Sequence, residues 1–127
     1  MNNSIYIRLD VDNVGDNIEL ALIKDDIVKA QEIHNVIQLG MKKIKDDISS
    51  IKNSRILMTG CDDIIFVLPV KNYNNLILKM IKDNFYNFTN YTISIGVDKS
   101  LKGALRNLKI AKLSGKNRII ENNNLLE

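Results

Sequence analysis

The sequence has few of the residues that staple a fold or anchor it. Its 127 residues include one cysteine, Cys61, and one histidine, His34. An intramolecular disulfide and a cysteine-rich zinc site are therefore both excluded, and nothing points to an oxidising compartment. The cytoplasm is the expected location. Long apolar runs are missing too. The longest, Ile64 to Val70, falls far below the roughly 20 residues a membrane helix needs, and Met1 to Asp10 lacks the apolar stretch of a secretion signal. A soluble protein with no membrane partner is expected. Strong charge of one sign is also absent: 18 basic and 15 acidic residues leave a formal net charge of +3. That mild basic excess suits a polyanionic ligand such as a triphosphate, and it is too weak to call for a stable nucleic-acid partner.

Proline occurs once, at Pro69, and no linker, repeat or composition shift marks a domain boundary. With 45% apolar residues the chain can bury a real core. One domain over residues 1–121 is expected, with 122–127 as a frayed tail. Ser4 to Asp12 reads as a strand in which Ile5, Ile7 and Leu9 alternate with Tyr6 and Arg8, ending in Asp10-Val11-Asp12-Asn13. A short helix is expected from Gly15 to about Ile23. A longer one follows from Asp25, with Ile27, Ala30, Ile33, Ile37, Met41, Ile44, Ile48 and Ile51 at helical spacing. Arg55 to Thr59 and Asp63 to Leu68 read as a hairpin joined by Gly60-Cys61-Asp62-Asp63. Tyr73 to Phe85 reads as a helix and Tyr91 to Val97 as a strand. Ser100 caps a last helix that Gly115 closes, and Arg118 to Glu121 adds a strand.

This order predicts an α+β ferredoxin-like palm: a βαββαβ core with an extra C-terminal helix and strand, and an antiparallel sheet with helices packed on it. In that topology the first strand lies beside the hairpin. Asp10 and Asp12 then approach Asp62 and Asp63, some fifty positions away in sequence. Carboxylates gathered at one end of a sheet repel one another unless a cation compensates. Oxygen donors without histidine or thiolate partners select Mg2+ or Mn2+, and two such ions roughly 3.5–4 Å apart can drive an in-line phosphoryl displacement. Singly, an Asp-Asp turn is more often a solvated hairpin and an Asp-x-Asp strand end more often a turn initiator. Their juxtaposition is what favours the metal reading.

At these residues the sequence resembles the GGDEF-type palm domains of diguanylate cyclases and the related palm of type III CRISPR polymerase subunits. Asp10 to Gly15 looks like the first metal-binding strand and Gly60 to Ile64 like the signature turn in its Asp-Asp form. Ser94 to Val97, with Ala111 to Arg118, looks like the C-terminal strand and helix. In its small size the chain is most similar to the minimal CRISPR polymerases. The resemblance implies catalytic roles for Asp10, Asp62 and Asp63, and metal ligation by Asp10, Asp62, Asp63, the Val11 carbonyl and Asp12. It places a triphosphate on the backbone amides of Asn13, Val14 and Gly15, faced by Lys112 and Lys116 one helical turn apart. Ile18 stands where diguanylate cyclases carry a guanine-reading asparagine, which turns the expectation from guanine to adenine and makes ATP the expected substrate. Cys61 replaces the turn's second glycine, and a nucleophilic role for it lacks a nearby base. His34 reads as an ordinary helix-surface or boundary residue.

The function expected is a nucleotidyltransferase or cyclase that makes a cyclic di- or oligonucleotide signal, which the resemblance associates with antiphage defence and a separate effector. One site and two nucleotides make a homodimer the simplest active species. A degenerate palm that only senses a nucleotide is the competing reading. A ferredoxin-like RNA-binding domain is another, though the strands lack the exposed aromatic pattern that stacks bases.

Overall fold

The computed structural model describes residues 3–122. The central strand β1 (Ser4–Val11) alternates as the sequence predicts. Ile5, Ile7, Leu9 and Val11 are buried, while Tyr6, Arg8 and Asp10 point to the other face and are partly exposed. On the buried side lie α2 (Ile27–Ser49) and α3 (Asn75–Thr89). Ile33, Ile37, Met41, Ile44 and Ile48 of α2 join Leu78, Ile81 and Phe85 of α3 in one cluster with the inward residues of the sheet. Each full burial of such a side chain contributes about 1.5–3 kcal/mol. The short helix α1 (Val14–Ile23) follows β1 directly and packs on α2.

The sheet order is β2-β3-β1-β4-β5, with β2 (Arg55–Thr59), β3 (Asp63–Pro69), β4 (Ile93–Asp98) and β5 (Ile119–Glu121). β1 pairs antiparallel with both β3 and β4, which is the split arrangement expected. The four core strands are antiparallel as expected, and the extra C-terminal strand β5 pairs parallel to β4. The cause is α4 (Leu101–Leu113), a crossover helix that returns the chain to the same end of the sheet. α4 lies on the face opposite α2 and α3. Gly96 permits its close approach, because a Cβ there would stand 2.2 Å from the Ala104 carbonyl oxygen and the Leu108 amide nitrogen.

Several boundaries shift for local reasons. α2 begins at Ile27 rather than Asp25, because Asp25 is left-handed (φ 57°) and the Asp26 side chain caps the helix by accepting from the Lys29 amide at 3.0 Å. A single 3₁₀ turn, Val70–Asn72, precedes α3, whose start Asn74 fixes by accepting from the Leu76 amide at 2.9 Å. α3 runs on to Thr89, and left-handed Asn90 (φ 65°) ends it, delaying β4 to Ile93. The Asn122 side-chain amide donates to Asp98 Oδ1 at 2.6 Å. The remainder of the expected tail, 123–127, lies outside the described residues. Among the described residues no helix is long and apolar enough to cross a membrane.

Candidate active site

Strand register brings the distant acids together. Asp10 pairs with Asp63 across β1 and β3, and with Ser94 across β1 and β4. The Val11 amide donates to the Asp62 carbonyl at 2.9 Å, locking the turn against the end of β1. The turn is closed by the Gly60 amide donating to the Asp63 carbonyl at 2.9 Å, and α2 pins it through Gln38, whose side-chain amide donates to the Cys61 carbonyl at 2.9 Å. Gly60 leaves room for the Asp63 carboxylate: a Cβ there would stand 2.2 Å from Asp63 Oδ1 and the side chain would have to turn away. Cys61 is exposed, as is His34.

The carboxyl of Asp10 is raised above the ordinary carboxylate range. Burial is the main cause, the charge of Lys112 opposes it, and the neighbouring charges of Asp62 and Asp63 push further up. Asp63 is paired with Arg8, whose Nη2 lies 3.1 Å from its Oδ2. Arg8 escapes a reading based on alternation alone; its one signal is a cation inside an apolar strand.

Asp12 departs from the expected ligand set. Its side chain is wholly buried, and its two oxygens accept from Thr92 Oγ1, Ser94 Oγ and Lys112 Nζ, each at 2.7 Å, and from the Asn117 amide at 3.0 Å. Burial alone would raise this carboxyl. The bonds from Lys112, Thr92 and Ser94, with the lysine charge, more than reverse that and hold it below the ordinary range. It is a structural knot that ties β1 to β4 and to the segment after α4.

Lys112 is drawn into the same knot. Besides Asp12, its Nζ donates to the Val11 carbonyl at 3.2 Å and lies 3.5 Å from Asp10 Oδ2, so three expected metal ligands share a lysine expected to face phosphate. Lys116 is not one helical turn along the same helix: α4 ends at Leu113 and Lys116 is left-handed (φ 63°). Its Nζ nevertheless reaches Asn13, donating to Oδ1 at 2.5 Å. Asn13 precedes α1 in the left-handed conformation (φ 66°) and its side chain makes no capping bond. The first amides of α1, Val14 and Gly15 included, therefore begin the helix without a side-chain cap. Ile18, one turn on, packs against the core and lines an open cleft of about 580 Å³ with Ala30, Gln31, His34 and Asn35 of α2.

Among the described residues no three Asp, Glu, His or Cys side chains converge as a finished metal cage. Asp63 and Asp10 turn instead toward Arg8 and Lys112. The donor chemistry fits a hard divalent cation: oxygen ligands only, and crowded negative charge that already raises one carboxyl.

The fold recurs among solved structures. The GGDEF domain of DgcB from Caulobacter crescentus, in complex with c-di-GMP, superposes with a TM-score of 0.63 at 13% identity, over 93% of this chain and 77% of that one. Diguanylate cyclase SiaD from Pseudomonas aeruginosa, in complex with its activator SiaC, gives 0.70 at 14% identity, over 94% of this chain and 50% of that one. A Csm1-Csm4 cassette in complex with one ATP gives 0.68 at 16% identity, over 92% of this chain and 20% of that one. This chain thus spans half of the SiaD chain and a fifth of the Csm chain. No curated protein matches the sequence. The minimal CRISPR polymerase (mCpol) domain model matches residues 6–122. With the palm sheet, the Asp10–Asp63 register and this match over nearly the whole chain, the protein belongs to the minimal CRISPR polymerase family.

Proposed function

We propose that this chain joins nucleoside triphosphates, ATP foremost, into a cyclic di- or oligonucleotide, and that Asp10, Asp62 and Asp63 are its catalytic acids. The observation that carries this reading is the register that sets Asp10 beside Asp63 while Val11 is bonded to Asp62, in a chain of this family. Asp10, Asp62, Asp63 and the Val11 carbonyl would hold Mg2+ or Mn2+. A divalent cation there supplies neutralising charge and a lowered pKa for an attacking ribose hydroxyl, so no side-chain base is needed. The uncapped start of α1 at Asn13, Val14 and Gly15 offers amides to the outer phosphates. Lys116, already at Asn13, adds positive charge where pyrophosphate leaves.

The cleft beside Ile18 takes the base. Ile18 lines one side of the cleft and Ala30, Gln31, His34 and Asn35 of α2 the other. A guanine edge left unpaired against Ile18 costs roughly 1–3 kcal/mol per lost partner, which favours adenine. Joining two nucleotides calls for a second pocket, supplied by a second copy of the chain across a two-fold axis. The product goes to a separate effector in antiphage defence.

A nucleotide-sensing role without chemistry is the second reading, favoured by the side-chain cations that already lie beside Asp10 and Asp63. Incubation with all four triphosphates and Mg2+ or Mn2+, followed by mass spectrometry, separates the two. Cyclic adenine nucleotides are expected. Product made mainly from GTP overturns the base assignment, and bound but unreacted nucleotide favours the sensor.

A further inference from the structure

Arg8 has no part in the chemistry described so far, and its position is costly. It is a cation in the central strand, on the face that carries Asp10, opposite Ile65 of β3 and Gly96 of β4. A guanidinium in the middle of a sheet needs compensation for its desolvation. Asp63 gives only part of it. Nη2 donates to Asp63 Oδ2 at 3.1 Å, but Nε is buried and finds no hydrogen-bond partner. The pair is a single contact rather than the bidentate fork that Arg and carboxylate can form. It is also wet, with side-chain exposures of 33% for Arg8 and 27% for Asp63. A one-point, solvated ion pair is weak and readily exchanged.

The carboxylate that Arg8 holds is one that the proposed reaction needs for a cation. Like charges cannot share it without cost, so a cation arriving at Asp63 weakens its bond to Arg8. The released guanidinium then stands beside the acidic turn with its donors open, next to where a cation-bound phosphate would lie. We propose that Arg8 is an exchangeable counter-ion of the site, paired with Asp63 when no divalent cation is present. When the cation takes Asp63, Arg8 passes to an anionic oxygen of the bound nucleotide's phosphates. This rests on the assignment of Asp63 to the cation and of the site to a nucleotide.

The two halves predict opposite signs, which a merely structural arginine would not produce. Calorimetry on the full chain, with Mn2+ alone and then with a non-hydrolysable ATP analogue plus Mg2+, reads both. Arg8→Met should bind Mn2+ roughly two- to tenfold more tightly than wild type, because the competing charge is gone. It should bind the analogue several-fold more weakly. Arg8→Lys, which keeps the charge and loses the fork, should fall between them and carries the test if the methionine variant does not fold. In an Asp63→Asn background the effect of Arg8→Met on Mn2+ should vanish. Unchanged or weaker Mn2+ binding, or unchanged analogue binding, in a variant whose wild type binds both, overturns the inference and leaves the functional reading intact. A wild type that binds neither overturns both.

Discussion

Asp10 near the end of β1 and Asp12 just beyond it are two residues apart, yet their surroundings give them opposite properties. Asp10 is partly exposed, beside two further acids and a lysine, and its carboxyl is raised. Asp12 is sealed, receives four hydrogen bonds, and its carboxyl is lowered. A carboxylate meant to exchange ligands must keep open coordination positions and tolerate strain. One meant to hold strands together must have every lone pair used. The turn side of the strand end leaves carboxylate positions open, the α4 side leaves none, and Lys112 touches both.

The most severe way to break this comparison is to remove an acid on the turn side. Asp62→Asn or Asp63→Asn should lower product formation by roughly a hundredfold or more, since charge stabilisation at the reacting phosphate is lost. The metal-free fold should persist: the partly exposed Arg8–Asp63 pair contributes only about 0–1 kcal/mol. Product rates and thermal melting in a chelator check both. A variant that melts like wild type and synthesises at a normal rate removes Asp62 or Asp63 from the catalytic set.

On the α4 side the effect should appear in stability. Asp12→Asn keeps the shape but removes the charge facing Lys112 and replaces one acceptor with a donor, which then faces either Thr92 and the Asn117 amide or Ser94 and Lys112. A buried pair broken on one side costs about 3–5 kcal/mol. For a chain of this size that is roughly 10–25 °C of melting temperature. Melting in a chelator measures it, and a shift below about 3 °C would show that the knot is not the tie described here.

The sequence makes the gathering of acids legible because pairing distant strands needs only their order and their alternation. It does not distinguish Asp10 from Asp12, because the period-two pattern puts both on one face. What separates them arrives from elsewhere: Thr92 from just before β4 and Ser94 from its start, Lys112 from the last turn of α4, Asn117 from the loop beyond. Lys112 and Lys116 look equivalent at a spacing of four only if the helix continues, and it stops at Leu113. Arg8 is visible as a charge in an apolar strand, but its partner is known only once the register pairs Asp10 with Asp63. The direction of the edge strand is not legible for a similar reason, since it depends on where α4 delivers the chain.

The smallest and most discriminating test concerns Asp10 without metal. A carboxyl whose folded pKa is raised binds more protons folded than unfolded, so it lowers stability as pH climbs from the unfolded value through the folded one, and the loss persists above it. Asp12 has the reverse sign: its contribution is complete above the ordinary carboxylate range and fades as pH falls through its lowered folded pKa. Replacing Asp10 with Asn removes the penalty of desolvation and of crowding by Asp62 and Asp63, at the cost of the lysine contact at 3.5 Å. Burial is the largest of these effects and the net direction is upward. Asp10→Asn should therefore melt slightly above wild type at pH 7 in a chelator, by less than the Asp12 variant loses, and the gain should shrink toward acid pH as wild-type Asp10 takes up its proton. Adding Mn2+ should reverse the order, stabilising wild type and leaving the variant nearly unmoved. An Asp10→Asn protein that is less stable than wild type at pH 7 without metal would mean that Lys112 already neutralises Asp10, and that the turn side is not charged in wait for a cation.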